Sequence, residues 1–379
     1  MERLIRQSWW KWLGVLILIY VFIAGLLVPI KPNVPTVIYE DPELGQSFTL
    51  GVVGYNTHFQ EQAGTTRAWL RLTKDGQIGP GIAMSSIEVL DDRRANLTFN
   101  LPAGIPSDRE VVSLSLYVDG PKDGVYVRPG AVQVNNPAQD STATSGWDPG
   151  GMSDLHRVDY MTFPARRILD ETIRNTYFHV ALWLAMMLLF IAAVVYAIKY
   201  LRRQAKTDKG QLELPMVSGL EARRQADLWS VALTEAGLLL GLLGLITGAL
   251  WAKYTWGSFW SWDIKQFTTL IALLIYAGYF VLRASFQDPE QRGRIGAAYN
   301  IFAFAALIPL IYILPRIAGN SLHPGNAGNP AFGSEDLDNT MRMVFYPAVI
   351  GWTLIGGWLA SLKYRTSRLE TLEEENFPD

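Results

Sequence analysis

Six apolar runs, each near the thickness of a lipid bilayer, limit what this chain can fold into more than any other feature. A bilayer core is about 30 Å thick, and a helix crosses it with about 20 apolar residues. The runs cover residues 12–29, 179–200, 228–251, 267–282, 297–314 and 344–362. Lipid has no partner for exposed backbone N–H and C=O groups, so each run is expected to be a helix. Charged residues make up 18% of the 379, against about a quarter in a soluble domain. The deficit sits in the runs, whereas residues 33–165 are as polar as a soluble domain.

Lysine and arginine between the runs set the orientation, because cytoplasmic loops carry the excess. Arg3, Arg6 and Lys11 precede the first run. Lys199, Arg202, Arg203, Lys206, Lys209, Arg223 and Arg224 lie between the second and third. Arg283, Arg292 and Arg294 lie between the fourth and fifth, and Lys363, Arg365 and Arg368 follow the sixth. With six crossings all four groups fall on one side, read as the cytoplasm, so both termini are expected there. Residues 33–178 and the loops 253–266 and 315–343 then face outward. The first run has no small-x-small cleavage site, and it reads as an uncleaved anchor rather than a signal peptide.

The expected fold class is an all-α polytopic bundle of six transmembrane helices with an inserted extracytoplasmic β-sandwich. Residues 1–32 are the first helix. Residues 33–135 show strand alternation in "SFTLGVVGY", "RAWLRLT", "ANLTFNL" and "VVSLSLYVDG", with a turn at Lys74-Asp75-Gly76. Several short strands at this spacing suggest a sandwich. Residues 136–178 read as a linker followed by an interfacial amphipathic helix. Residues 179–363 form a five-helix membrane domain, and 364–379 a cytoplasmic tail.

A net charge of −2 gives no footprint for nucleic acid. The absence of cysteine removes disulfides, thiolate ligands and thiol catalysis. No Walker motif, nucleophile elbow or zinc motif is present, so any ATP hydrolysis must belong to a partner.

The outward loop 251–266 reads "WAKYTWGSFWSWDIKQ". An interfacial aromatic belt is the plain reading of its tryptophans. Their density, with Gly257 and Asp263 set among them, favours a platform for a flat apolar ligand, because aromatic faces stack on aromatic faces. The chain has four histidines, and two of them, His179 and His323, fall on the same side as this loop. Imidazole is a common ligand of haem iron. Two such residues flanking an aromatic loop could clamp both faces of a porphyrin. Arg174 and Lys265 lie near the same interface and could pair with propionates, or serve as snorkelling anchors.

The string "WGSFWSWD" at 256–263 resembles the signature of the bacterial WWD-domain haem-handling membrane proteins. The resemblance extends through "TGALWAKY", "SLHPG", Arg174-x-x-Tyr177-x-His179 and Met341-Arg342, over about residues 170–362 and the first span. Six spans and two candidate ligands look like the cytochrome c maturation protein C family, also called haem exporter protein C. The resemblance implies haem b as cofactor, with His179 and His323 as axial ligands. It implies Trp251, Trp256, Gly257, Trp260, Trp262 and Asp263 as the loop that binds haem and meets a haem chaperone. It also implies location in the bacterial inner membrane, with ATP-binding cassette transporter ATPase and permease subunits and a small membrane subunit as partners. Any catalysis would be at most a haem lyase-like promotion of covalent attachment to the chaperone. Relatives have Pro at the position of Ala181 and Arg at that of Lys265, and Lys cannot pair bidentately with a propionate. The family's loop between the first two spans is short, so the resemblance says nothing about the β domain.

Two other readings compete. The helices could form a haem-transporting permease subunit, or the β domain could be a recruiting scaffold with the helices as its anchor. His58 and His156 read as surface histidines, Glu235 as an interfacial acid and "LEEENFPD" as a solvated terminus.

Overall fold

Pro29 stops the first apolar run, since proline lacks an N–H and disfavours helix in the residue before it. In the computed structural model that run is α1, Glu2–Leu27. The structure describes residues 2–74, 77–150, 152–166, 169–208, 216–319, 321–323 and 337–376. The rest of the Lys74-Asp75-Gly76 turn, much of the 315–343 loop and the last residues of the acidic tail lie outside that set. The chain divides into two compact units, residues 28–170 and residues 1–27 with 171–379.

The first unit overturns the all-α class, and it is not a two-sheet sandwich. Its strands are β1 Asn33–Ile38, β2 Ser47–Tyr55, β3 Arg67–Lys74, β4 Gln77–Val89, β5 Arg94–Asn100, β6 Val111–Gly120 and β7 Gly124–Asn135. They form one antiparallel sheet in the order β1-β2-β5-β4-β3-β6-β7, and β1 lies against β7. The sheet therefore curls almost into a barrel, and the chain is α plus β. The cause is β4. Ile78 to Ala83 pair with β3, Met84 to Val89 pair with β5, and the register shifts between Met84 and Ser86. A bulge bends a strand and lets it pass from one sheet direction to another.

Alternation places Leu50, Val52, Leu70, Leu97, Phe99, Leu114, Leu116, Val132 and Val134 in one core. The segment read as a linker lies on this sheet. Trp147 is buried and donates Nε1–H to the Gly104 carbonyl at 2.7 Å. Asp148 and Gly81 exchange backbone hydrogen bonds of 2.8 and 2.9 Å. Buried Arg71 donates to the Gly150 carbonyl at 2.5 Å.

Among the described residues six apolar helices are long enough to span a membrane, all in the second unit, and the protein is a multi-pass membrane protein. A 3-10 turn, Asp170–Tyr177, leads into α2 His179–Asp208. Then come α3 Met216–Trp256, α4 Ile264–Ala284, α5 Pro289–Ile308, α6 Leu314–Ala318 and α7 Asn339–Asn376. Between α5 and α6 the helix widens into a π turn, Pro309–Ile313, where the Leu314 N–H reaches back to the Pro309 carbonyl. Pro309 and Pro315 cannot donate backbone hydrogen bonds, which loosens the regular α ladder at this point. Polar ties stand in for the hydrophobic drive that lipid removes. Asn300 donates to Thr234 and Ser230 at 2.7 and 3.1 Å, and Arg283 meets Asp227 at 2.7 Å.

Candidate functional site

His179 is the first residue of α2 and α3 is its neighbour. Its Nδ1 lies 2.8 Å from the Gly244 carbonyl oxygen. A carbonyl only accepts, so Nδ1 carries the proton and Nε2 carries the ring's lone pair. Asn175, just upstream, donates to the Thr247 carbonyl at 2.8 Å, which ties the 3-10 turn to the same stretch of α3. Trp183 and Trp251 stand roughly perpendicular to the imidazole, with centroids 6.2 and 5.7 Å away. Trp251 donates its indole N–H to Thr172 Oγ1 at 3.1 Å. Trp251 thus sits on α3 as a wall of His179 and is not part of the loop after that helix.

α3 ends at Trp256, and Gly257 follows with φ +87°, a left-handed backbone natural to glycine after a helix. The loop then climbs through Trp260 and Trp262, whose rings meet edge to face at 5.9 Å. Trp262 has φ +56° and is 73% exposed. A bulky residue in the left-handed region is strained, and such strain is concentrated where function requires a set geometry. Gln266 holds the loop from inside, accepting from the Ser261 N–H and Oγ–H, each at 3.1 Å.

Asp263 closes the loop and caps α4, accepting from the Lys265 N–H at 2.9 Å. The same buried carboxylate gathers the other candidate ligand. It accepts from His323 Nδ1 at 2.9 Å, Ser321 Oγ at 3.1 Å and the Leu322 N–H at 2.7 Å. Burial alone would push this carboxyl up. The hydrogen bonds from His323, Leu322 and Lys265 outweigh it and hold the group well below the usual carboxylate range. The imidazole of His323 also meets Trp256 edge-on at 4.9 Å. Asp263, Trp256 and His323 are therefore one cluster. Beside it lies a hollow of ≈ 490 Å³ lined by Ser261, Trp262, Asp263, Ile264, Phe267, Ala318 and Leu322.

His323 and Lys265 lie within electrostatic reach of His179, so both histidines and the loop gather at one end of the bundle. The two candidate propionate contacts differ. Arg174 is mostly buried and pairs with Glu171, and it donates to the Gly25 carbonyl of α1 at 2.9 Å. Lys265 is half-buried, with its charge facing Asp263 and Arg316. Among the described residues no three histidine, aspartate or glutamate side chains gather as a site for a bare metal ion. Glu235 pairs with Lys363 at 3.2 Å.

The orienting role of Asp263 is not visible in the sequence as a motif, because sixty residues separate it from His323. The glycines of α3 were open to such a reading, through small residues recurring at helical spacing.

Residues 170–323 match the cytochrome c assembly protein family, a range that starts at the 3-10 turn and ends at His323. The chain is 38% identical over 123 residues to a cytochrome c biogenesis protein CcsA of Synechococcus, covering 32% of this chain and 39% of that one. It is 28% identical over 152 residues to heme exporter protein C of Haemophilus influenzae, covering 40% and 59%. A cytochrome c biogenesis protein CcsA of Heterosigma akashiwo is 33% identical over 120 residues, covering 32% and 33%. The chain spans about a third to three fifths of the length of these relatives.

Proposed function

We propose that this chain, whose residues 170–323 belong to the cytochrome c assembly protein family, binds haem b at the outer face of the bacterial inner membrane and passes it to a haem chaperone during cytochrome c biogenesis. The observation that carries the reading is the pair of anchored imidazoles set against tryptophan rings, Trp183 and Trp251 at His179 and Trp256 at His323. Each has its Nδ1 proton committed to an oxygen, Gly244 O for His179 and Asp263 for His323. That puts the ring lone pair on Nε2 in both, the tautomer of metal-ligating histidines held by a second partner at Nδ1. Two imidazoles are enough for an iron whose other four ligands arrive with the porphyrin.

The surrounding groups supply the rest. Trp256, Trp260 and Trp262, with Trp251 and Trp183 around His179, offer faces and edges to a flat conjugated ring. Asp263 holds His323 and gives the loop its shape. Lys265 supplies the cation for a propionate, and Arg174 braces the turn before His179. The contribution of the protein is positioning: a haem edge is presented while the plane is held. The lysines and arginines at the far end of the bundle support a reading in which that end and both termini face the cytoplasm. ATP-binding cassette subunits and a small membrane subunit are the partners this reading implies.

Visible spectra of the haem-loaded full chain test it. Wild type is expected to show six-coordinate low-spin haem, His179→Ala and His323→Ala each to lose that signature, and the double variant to lose haem. An unchanged spectrum in the double variant would overturn the assignment. In cells that lack this chain, haem supplied only from outside should leave cytochrome c yield unrestored, because the handling step is still missing. Rescue there would favour the permease reading, since outside haem bypasses an exporter.

A further inference from the structure

The four glycines of α3 that face α2 stand at 237, 241, 244 and 248, a spacing of four, three and four. The side chains they face on α2 are Phe190, Met186, Trp183 and His179, at the same spacing in the opposite direction. A Cβ on Gly237 would stand 2.5 Å from Phe190 Cε1, and one on Gly241 2.8 Å from Met186 Sδ. One on Gly244 would stand 3.0 Å from the Trp183 indole, and one on Gly248 2.5 Å from His179 Cε1 and 2.9 Å from its Nδ1. Small residues let helix backbones approach closely in lipid, and a repeat of four and three keeps knobs and holes in step. The missing side chains are filled by α2, joined at Gly241 by Leu273 of α4 at 2.7 Å, and the last hole is filled by an imidazole. A second observation is independent of the steric fit: the Gly244 carbonyl accepts the Nδ1 proton of that imidazole at 2.8 Å.

We infer that Gly248 and Gly244 are positioning residues for the proposed haem ligand His179, Gly248 by leaving room for the ring where it stands and Gly244 by fixing which nitrogen faces the iron. The inference rests on the haem-binding reading above. Trp183 and Trp251 bound the ring, each roughly perpendicular to it, so a methyl at 248 cannot be absorbed by sliding the ring between them. The ring must leave the Gly244 carbonyl, and Nε2 moves with it.

The test uses the haem-loaded full chain in nanodiscs, read by its visible spectrum and by the rate of haem transfer to apomyoglobin. Gly248→Ala should lose low-spin character and release haem at least about tenfold faster, as for loss of a group that orients a ligand. Gly357→Ala, where no atom lies within 4 Å of the added Cβ, should behave as wild type. His179→Gly removes the ring, so His179→Gly with Gly248→Ala has space for its methyl and sidesteps any folding defect. Imidazole added to His179→Gly should restore the spectrum, and the double variant should need about tenfold more of it. Coincident imidazole titrations, with Gly248→Ala matching wild type, would overturn the positioning role while His179 remained the ligand. An unchanged spectrum in His179→Gly would instead sink the haem-ligand reading beneath it.

Discussion

All four histidines in this chain hold an oxygen through Nδ1, yet the two units use the bond differently. In the β unit, His58 and His156 lie on buried Asp123 and Asp119 at 2.7 and 2.9 Å. Each also donates its own backbone N–H to the same carboxylate, at 2.9 and 2.8 Å. Ring and backbone together clamp a loop onto the β6–β7 hairpin. In the membrane unit, His179 and His323 stand among tryptophans. A fixed tautomer alone therefore does not identify a ligand. The surroundings separate them: in the β unit ring and backbone of one histidine close on one carboxylate, whereas in the membrane unit tryptophan rings flank both imidazoles.

The contrast can be broken at three points. The largest effect is expected at Asp119, which also accepts from Arg67 at 2.5 Å. Asp119→Ala strands those donors and should cost the β unit about 3 kcal/mol, with the haem spectrum unchanged. Hydrogen exchange across 111–135 in the full chain reads the cost, and a changed spectrum would mean that the clamp is not merely structural. The same carboxyl carries a pH signature. Burial pushes it up, but Arg67 and His156 hold it below the usual range. A depressed folded value means that its stabilisation is complete above the unfolded aspartate value of about 4 and fades as pH falls through the folded one. Exchange protection of the hairpin should thus be flat from pH 7 to 5 and drop only in stronger acid, a drop that Asp119→Ala abolishes.

Asp263→Ala should act next most strongly and on the other property. Haem retention should fall 10- to 100-fold, measured by transfer to apomyoglobin, with the β unit's exchange untouched. Equal retention would show that His323 needs no carboxylate to aim it. The smallest effect is expected at Lys265. Lys265→Gln should lower retention a few-fold, as for a single charge pair near the surface, and more so at low salt. No change at low salt would remove it as a propionate contact.

The spans were legible because each apolar run approaches the bilayer thickness, and the strands because side chains alternate. Closure of the sheet was not, since it depends on one shifted register in β4 and on pairings such as β3 with β6 that cross some forty residues. The aromatic string around Trp260 is local and could be read directly. The link from Asp263 to His323 joins segments sixty residues apart, with α4, α5 and α6 between them in the chain. Arg174 shows the limit from another side. The sequence displays a cation near an interface, while the fold engages it with Glu171 and the Gly25 carbonyl.

The π turn at Pro309–Ile313 holds one residue more than an α turn of the same rise. Everything after it is rotated by about 100° relative to an unbroken helix, the angle one residue subtends. The direction in which the chain leaves α6 toward Ser321 and His323 is thus a matter of counting. Deleting a single residue within the turn would leave the rod nearly as long but point its exit a quarter-turn or so elsewhere, away from Asp263.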